Sequence, residues 1–337
     1  MALLQAARRL EGGSRVLVTG PGCGEAAQWA VAQGARVTAW VDSVAEATTL
    51  TALRLPTLAV RLQSDYAGLE LGTYDVALVL LDRGRLLQEE VLRVAAALLR
   101  PGGRLACVGA TQEGVRGAVE FARALYGQAG VVARKGGYHA AVAVRPPGEF
   151  PLPEPGYVER EVVVDGLPTR LIGRPGVFAW EGVDEGAAAL IAGLRVAPGE
   201  RLLDLGCGTG LVGLATRRRG AVVTAVDVSA RAVESTRRTL AANGCPETPV
   251  LLSDGVAAVA GQRFEVVATN PPFHRGHGVA FETARRFIAG AAQVLAPEGR
   301  LYLVANTFLR YEPWLRQHFS AVSVAWEDRR FRVWEAR

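Results

Sequence analysis

Lysine is almost missing from this 337-residue chain: Lys135 is the only one among 38 basic side chains. Methionine occurs once, cysteine four times, and asparagine three times, at Asn243, Asn270 and Asn306. The cysteines (Cys23, Cys107, Cys207, Cys245) are scattered, with no CxxC pair and no spacing that suggests a disulfide framework. No apolar run approaches the ~18 residues of a membrane helix. The first residues carry no cationic segment leading into a long apolar one, so no secretory signal is expected. A reduced, cytoplasmic setting is the expectation. Because the net charge of +5 rests almost wholly on arginine, the chain tilts towards an anionic partner, arginine being suited to phosphates and base stacking. Charge alone does not establish nucleic-acid binding.

What the sequence does have is a second copy of itself. "RVLVTGPGCGEAAQWAVAQGARVTAWVDS" (residues 15–43) aligns without a gap with "RLLDLGCGTGLVGLATRRRGAVVTAVDVS" (residues 201–229), so that Gly20, Gly22, Gly24 and Gly34 fall on Gly206, Gly208, Gly210 and Gly220. The likeness resumes between residues 74–84 and 264–276, and again between 98–110 and 294–306. Each copy reads as strand, glycine-rich turn, helix, strand. In the second copy, helices are expected over residues 211–219, 231–242 (ended by Asn243-Gly244) and about 279–294. Apolar strands alternating with helices predict an α/β fold. It would comprise two tandem Rossmann-like domains, each a mostly parallel sheet flanked by helices. Residues 1–145 are read as a degenerate first domain, the proline-dense 146–172 as a linker or entry segment, and 173–337 as the catalytic domain.

"DLGCGTG" (residues 204–210) follows an expected strand and opens an expected helix, the context that gives a glycine motif meaning. Its spacing differs from the GxGxxG of dinucleotide sites. Asp204 precedes the glycines and suits a ligand end carrying an ammonium group. Asp227 lies at the end of the next strand, placed for ribose hydroxyls. Asp254, after the third strand, could face an adenine amine. Any one of these alone is more often a helix cap or a solvated loop. Three at successive strand ends around one glycine turn point to a ligand, because that edge is where open α/β sheets bind.

On these residues the second half resembles the class I S-adenosylmethionine-dependent methyltransferases. "DLGCGTG", "VDVS", "SDG" and "NPPF" match the family's motifs in order. In particular it resembles the bacterial guanine-N2 methyltransferases of ribosomal RNA, the type C enzymes of the small subunit and the type G enzymes of the large one. Those pair a degenerate N-terminal copy with a catalytic one. They carry "PGVF", matched at residues 175–178, and "NPPFH", matched at 270–274; likeness extends to residues 304–315 and 330–334. The resemblance implies S-adenosylmethionine as cofactor, with S-adenosylhomocysteine as product. It implies a cofactor site of Phe178, Asp204, Gly206, Cys207, Gly208, Thr209, Gly210, Asp227, Val228, Asp254, Gly255 and Asn270. It implies transfer to the N2 of a guanine in 16S rRNA, with ribosomal RNA or the 30S particle as partner, no membrane, no metal, and a monomer.

The catalytic residues so implied are Asn270, Pro271, Pro272 and Phe273. The exocyclic amine of guanine is a poor nucleophile, its lone pair delocalised into the ring. The Asn270 side-chain oxygen and the Pro271 carbonyl could accept its two hydrogens and turn the lone pair towards the methyl. The prolines restrict the loop, and Phe273 offers a face for the base. Other readings are a large-subunit target, an adenine-N6 or protein glutamine-N5 amine (families that typically show Tyr where this chain has Phe273), and a non-catalytic assembly factor. His274 and His277 match no metal-ligand set, and Arg217 to Arg219 read as a solvated helix face. The first copy has Val18 where the second has Asp204, Leu80-Leu81-Asp82-Arg83 in place of the Asn-Pro-Pro loop, and Asp42 displaced by one residue, to the other face of its strand. Calorimetric titration with S-adenosylmethionine is therefore expected to give one site per chain; two sites would overturn the reading of the first copy.

Overall fold

The computed structural model describes residues 10–272 and 277–337, with side chains left aside at 277–280. The chain divides into two compact units, Met1–Gly156 and Tyr157–Arg337. The division falls inside the proline-dense stretch.

In the first unit, β1 (Arg15–Thr19), α1 (Gly24–Ala32), β2 (Arg36–Val41), α2 (Val44–Ala52), β3 (Leu58–Leu62), β4 (Tyr74–Leu80), α3 (Arg85–Leu98), β5 (Leu99–Ala110), α4 (Val115–Tyr126), β6 (Ala129–Lys135) and β7 (Tyr138–Val144) follow in order. They build one sheet, β3-β2-β1-β4-β5-β7-β6. Strands β1 to β5 pair in parallel, and β7 runs antiparallel between β5 and β6.

The second unit opens with a hairpin, β8 (Val158–Val164) and β9 (Leu167–Gly173), then α5 (Glu185–Gly193). There follow β10 (Arg201–Leu205), α6 (Leu211–Arg218), β11 (Val222–Asp227), α7 (Ala230–Ala242), β12 (Val250–Leu252), β13 (Phe264–Thr269), α8 (His277–Val294), β14 (Leu295–Asn306), α9 (Glu312–Leu315), β15 (Val322–Glu327) and β16 (Phe331–Ala336). The sheet order, β12-β11-β10-β13-β14-β16-β15, repeats that of the first unit element for element. The duplication and the mostly parallel α/β class expected from the sequence are both present.

Alternation along β10 sets the layers. Leu202 joins the apolar cluster of Leu190, Val212 and Val266 on one face; Leu203 and Leu205 join Val267, Ile288 and Leu301 on the other. A central strand buried on both faces reads as a continuous apolar run, and β10 is exposed only at Arg201. Asp204 falls on the same face as Leu202, beneath α6.

The hairpin 158–173 belongs to the second unit, held there by two polar side chains, Thr239 of α7 and Asn243 at that helix's C-cap. Thr239 Oγ1 accepts the Ile172 N–H at 3.0 Å and donates to the Ile172 carbonyl at 3.1 Å. Asn243 accepts the Arg170 N–H at 3.2 Å and donates to its carbonyl at 2.8 Å. Residues four apart share a helix face, so the pair reads the β9 backbone as a neighbouring strand would. Asn243 thus does more than end its helix.

The two copies differ at the first glycine of the turn. A Cβ at Gly20, which has φ +100°, would lie 1.8 Å from the Leu80 carbonyl oxygen. The chain at the end of β4 lies directly against the first unit's turn. At Gly206 the nearest atom to such a Cβ is a ring carbon of Phe287, at 3.1 Å.

Candidate active site

The strand β10 delivers the chain to Gly206–Gly210, a turn that only glycine backbone makes easily: Gly206, Gly208 and Gly210 have φ of +80°, +57° and +83°. Three neighbours hold it. The Gly206 and Cys207 N–H groups donate to the Val226 carbonyl at 2.9 and 3.0 Å. Thr236 of α7 donates to the Gly208 carbonyl at 2.9 Å. Asp227 Oδ2 accepts the Gly208 N–H at 2.9 Å, while its Oδ1 accepts the Ser229 N–H at 3.0 Å. Within 4 Å of a Cβ placed at Gly208 stands only the Phe178 carbonyl oxygen, at 3.8 Å. Gly208 therefore presents open backbone, as a cofactor running along the turn requires, whereas a Cβ at Gly210 would sit 2.8 Å from Thr236 Cγ2.

The three acids occupy different situations. Asp227 is half-buried at the strand end, with the half-exposed Val228 beside it. Asp254 is paired with Arg286 of α8, Oδ1 to Nη2 at 2.7 Å, and the Gly255 carbonyl accepts the Ser253 hydroxyl at 2.8 Å. Asp204 corrects the expectation of a direct ammonium contact: its side chain is only 2 % exposed, and Oδ2 accepts the Gly213 N–H at 2.8 Å. Strand alternation turns it under α6, where it fixes that helix's first turn. Burial pushes its carboxyl up to about 7, against the pull of the Gly213 N–H and with a push from Asp227. Cys207 and Thr209 are buried within the turn, and the same burial raises the Cys207 thiol. Phe178 has its ring half-exposed beside the turn.

Asn270 follows β13, which lies next to β10 with Thr269 opposite Leu205. Its Nδ2 donates to Asp184 Oδ2 at 2.9 Å. The same oxygen caps α5 by accepting the Ala187 N–H at 2.9 Å. The amide's other end, Oδ1, is buried and meets no donor among the described residues. A buried unpartnered acceptor costs about 1–3 kcal/mol, which a ligand amine would offset. An amide can donate to Asp184 with its nitrogen and still accept from a ligand with its oxygen. Gly186 makes the approach possible, since a Cβ there would sit 2.9 Å from Asp184 Oδ2 and 3.3 Å from both Asn270 side-chain polar atoms.

Pro271 is buried and Pro272 half-buried. Phe273 and His274 lie outside the described residues, as does the side chain of His277. Arg217 pairs with Glu247, Arg218 donates to Thr169, and Arg219 pairs with Asp165, so this arginine run is not a free solvated face. Asp184 was not singled out in the sequence. An aspartate three residues before an N–H it caps is an ordinary helix start, and only the fold brings it to Asn270.

The chain is 36% identical over 270 residues to the ribosomal RNA small subunit methyltransferase C of Pseudomonas aeruginosa strain LESB58, a match spanning 79% of this chain and 80% of the relative. This chain belongs to the ribosomal RNA small subunit methyltransferase C family. The Aeromonas hydrophila member is 34% identical over 267 residues, 77% of this chain and 76% of its own. Residues 168–335 match the methyltransferase small domain family. A solved member of the same family, the T. thermophilus 16S rRNA N2 methyltransferase of guanine 1207 in complex with AdoMet and guanosine, superposes with a TM-score of 0.88 at 31% identity. That match covers 99% of this chain and 91% of the other.

The raised Asp204 carboxyl makes a stability prediction. The folded chain keeps a proton that the unfolded chain releases near the ordinary value of 3.8. The group's contribution is therefore complete below about pH 4, declines as pH rises to about 7, and is flat above. Asp204→Asn is expected to lie within about 1 kcal/mol of wild type in urea melts at pH 4.5. At pH 8 it should exceed wild type by up to a few kcal/mol, at ~1.4 kcal/mol per pH unit of the window. An equal difference at both pH values would show that Asp204 is not so perturbed.

Proposed function

We propose that this chain transfers a methyl group from S-adenosylmethionine to the exocyclic N2 of a guanine in 16S rRNA, at the position equivalent to guanine 1207, acting as a monomer in the cytoplasm. The observation that carries this reading is the Asn270 amide. Its donor end is tied to Asp184, and its buried acceptor end meets no donor among the described residues. An acceptor of that kind suits an N–H2 group, and the relatives include a guanine-N2 enzyme solved with AdoMet and guanosine.

The cofactor, when bound, supplies an electrophilic methyl on a sulfonium. Gly206, Gly208 and Gly210 give it close backbone approach. Asp227 would take ribose hydroxyls from the strand end, and Val228, Asp254 and Gly255 would border the adenine, Asp254 shared with Arg286. Asp204 acts from beneath by fixing the turn, while Phe178, Cys207 and Thr209 shape it. Asn270 Oδ1 accepts one hydrogen of the guanine amine and the Pro271 carbonyl the other, which turns the nitrogen lone pair towards the methyl. As the N–C bond forms and the C–S bond breaks, positive charge grows on nitrogen. The acceptor dipole, backed by the Asp184 carboxylate, favours that charge. One amine proton then passes to solvent water, giving N2-methylguanosine and S-adenosylhomocysteine. Phe273 of the same loop is assigned to the face of the base, and a paired guanine must first be flipped out to reach it.

The first test is transfer of labelled methyl to 30S subunits lacking their guanine-N2 modification, followed by nucleoside analysis. N2-methylguanosine in 16S rRNA is expected; product only in 50S subunits would replace the substrate, and a different nucleoside the chemistry. Asn270→Ala should lower kcat by roughly 10²–10³-fold, the size of loss seen when one preorganised polar group is removed. Asp184→Ser keeps a good helix cap but frees the amide to rotate, so kcat should fall by about 10-fold or more while the melting temperature stays close to wild type. An Asn270→Ala enzyme with full kcat would falsify the mechanism.

A further inference from the structure

Next to β13 in the sheet, β14 ends at Asn306 and turns through residues 307–309, with the Leu309 N–H donating to the Asn306 carbonyl at 2.9 Å. Thr269 of β13 stands opposite Leu303 of β14, so Asn270 and this turn leave the same sheet edge from strands ~4.8 Å apart. At the tip of the turn is Phe308, 77% exposed and the most exposed large apolar side chain among the described residues. A lone exposed aromatic is ordinary on a random surface. Here its setting is built.

The turn is sewn to the tip of the β15–β16 hairpin. The Thr307 N–H donates to the Arg330 carbonyl at 3.0 Å, the Thr307 hydroxyl to the Arg329 carbonyl at 3.3 Å, and Asn306 Nδ2 to the Arg330 carbonyl at 3.4 Å. The hairpin tip is itself fixed, since Asp328 Oδ1 accepts the N–H groups of both Arg330 and Phe331 at 2.7 Å. Arg310 and Arg329 are exposed and form no ion pair among the described residues. Arg330 pairs with Glu185, the neighbour of the Asp184 that holds Asn270. The result is a rigid aromatic tip flanked by two uncommitted guanidiniums, tied by one ion pair to the residue next to the Asn270 anchor.

We propose that this face is a platform for the RNA strand beside the target guanine: Phe308 stacks on an unpaired flanking base, and Arg310 and Arg329 contact phosphates. This rests on the proposed function, whose pocket it adjoins without sharing a residue. A π face flanked by arginines is the recurring chemistry of single-stranded RNA recognition, and the arginine charge fits no apolar or basic partner.

The test uses the full chain with unmethylated 16S rRNA transcript, 30S subunits and free guanosine. Phe308→Ala should raise Kd and KM for 16S rRNA roughly 5- to 100-fold, the range of one lost base stack. Its kcat, melting temperature and competition by guanosine should stay close to wild type. The Arg310→Ala/Arg329→Ala double variant should reduce the salt slope of log Kd by ~1.4, two phosphates at ~0.7 each. Unchanged binding in both variants overturns the platform. So does an equal loss of guanosine competition in Phe308→Ala, which would move Phe308 into the target-base pocket. Normal binding of naked 16S rRNA with failure on 30S subunits also overturns it, placing a protein on this face. Because Kd is read without turnover, absence of methyl transfer by the wild-type chain would overturn the proposed function and leave the platform measurable.

Discussion

Parallel pairing forces β10, β11, β12, β13 and β14 to finish along one edge of the sheet, and the candidate site depends on that constraint. Strands running the same way cannot be joined by tight hairpins, so each crossover leaves a strand end free to carry a turn. The glycine turn, Asp227, Asp254, Asn270 and the Phe308 turn all leave that edge, although nearly a hundred residues separate the first from the last. None of these groups is positioned by sequence neighbours alone. The register of β10 against β11 and β13 sets the glycine turn beside Asp227 and beside the strand that carries Asn270.

The acids divide between holding the protein and meeting the ligand, and burial decides which. Asp204, turned under α6, commits its charge to a helix amide at a cost that its raised proton affinity records. Asp227 sits one strand over at half-burial and staples the Gly208 amide from the strand end. Asp184 serves two backbone-ordering tasks with a single oxygen, capping α5 and anchoring Asn270. The neutrality of Asn270 follows from that arrangement: an aspartate there would face Asp184 as a like charge, and an apolar side chain could neither be anchored nor accept.

Much of this was legible beforehand. The gapless repeat of glycines announced two copies of one α/β unit, and the acids at successive strand ends announced the ligand edge. Those signals are local, a motif and the strand or helix beside it. What escaped were contacts between elements distant in sequence. The hairpin 158–173 is held by Thr239 and Asn243, about seventy residues away, so its residues read as linker. Asp184 looked like a routine cap. Asp204 was misassigned because alternation on one strand depends on which face α6 covers, and a motif does not state that. The arginines 217 to 219 looked solvated because their partners, Glu247, Thr169 and Asp165, come from other elements.

The contact between Leu80 and Gly20 bears on how the two copies differ. In the first copy the Leu80 carbonyl lies against the glycine turn, where it leaves no room for even a methyl group at Gly20. Backbone in that position is fixed by the strand that carries it, so a side-chain change at Val18 alone would not move it. The first copy's turn is thereby stopped by main chain, whereas a Cβ at Gly206 would meet only the ring of Phe287.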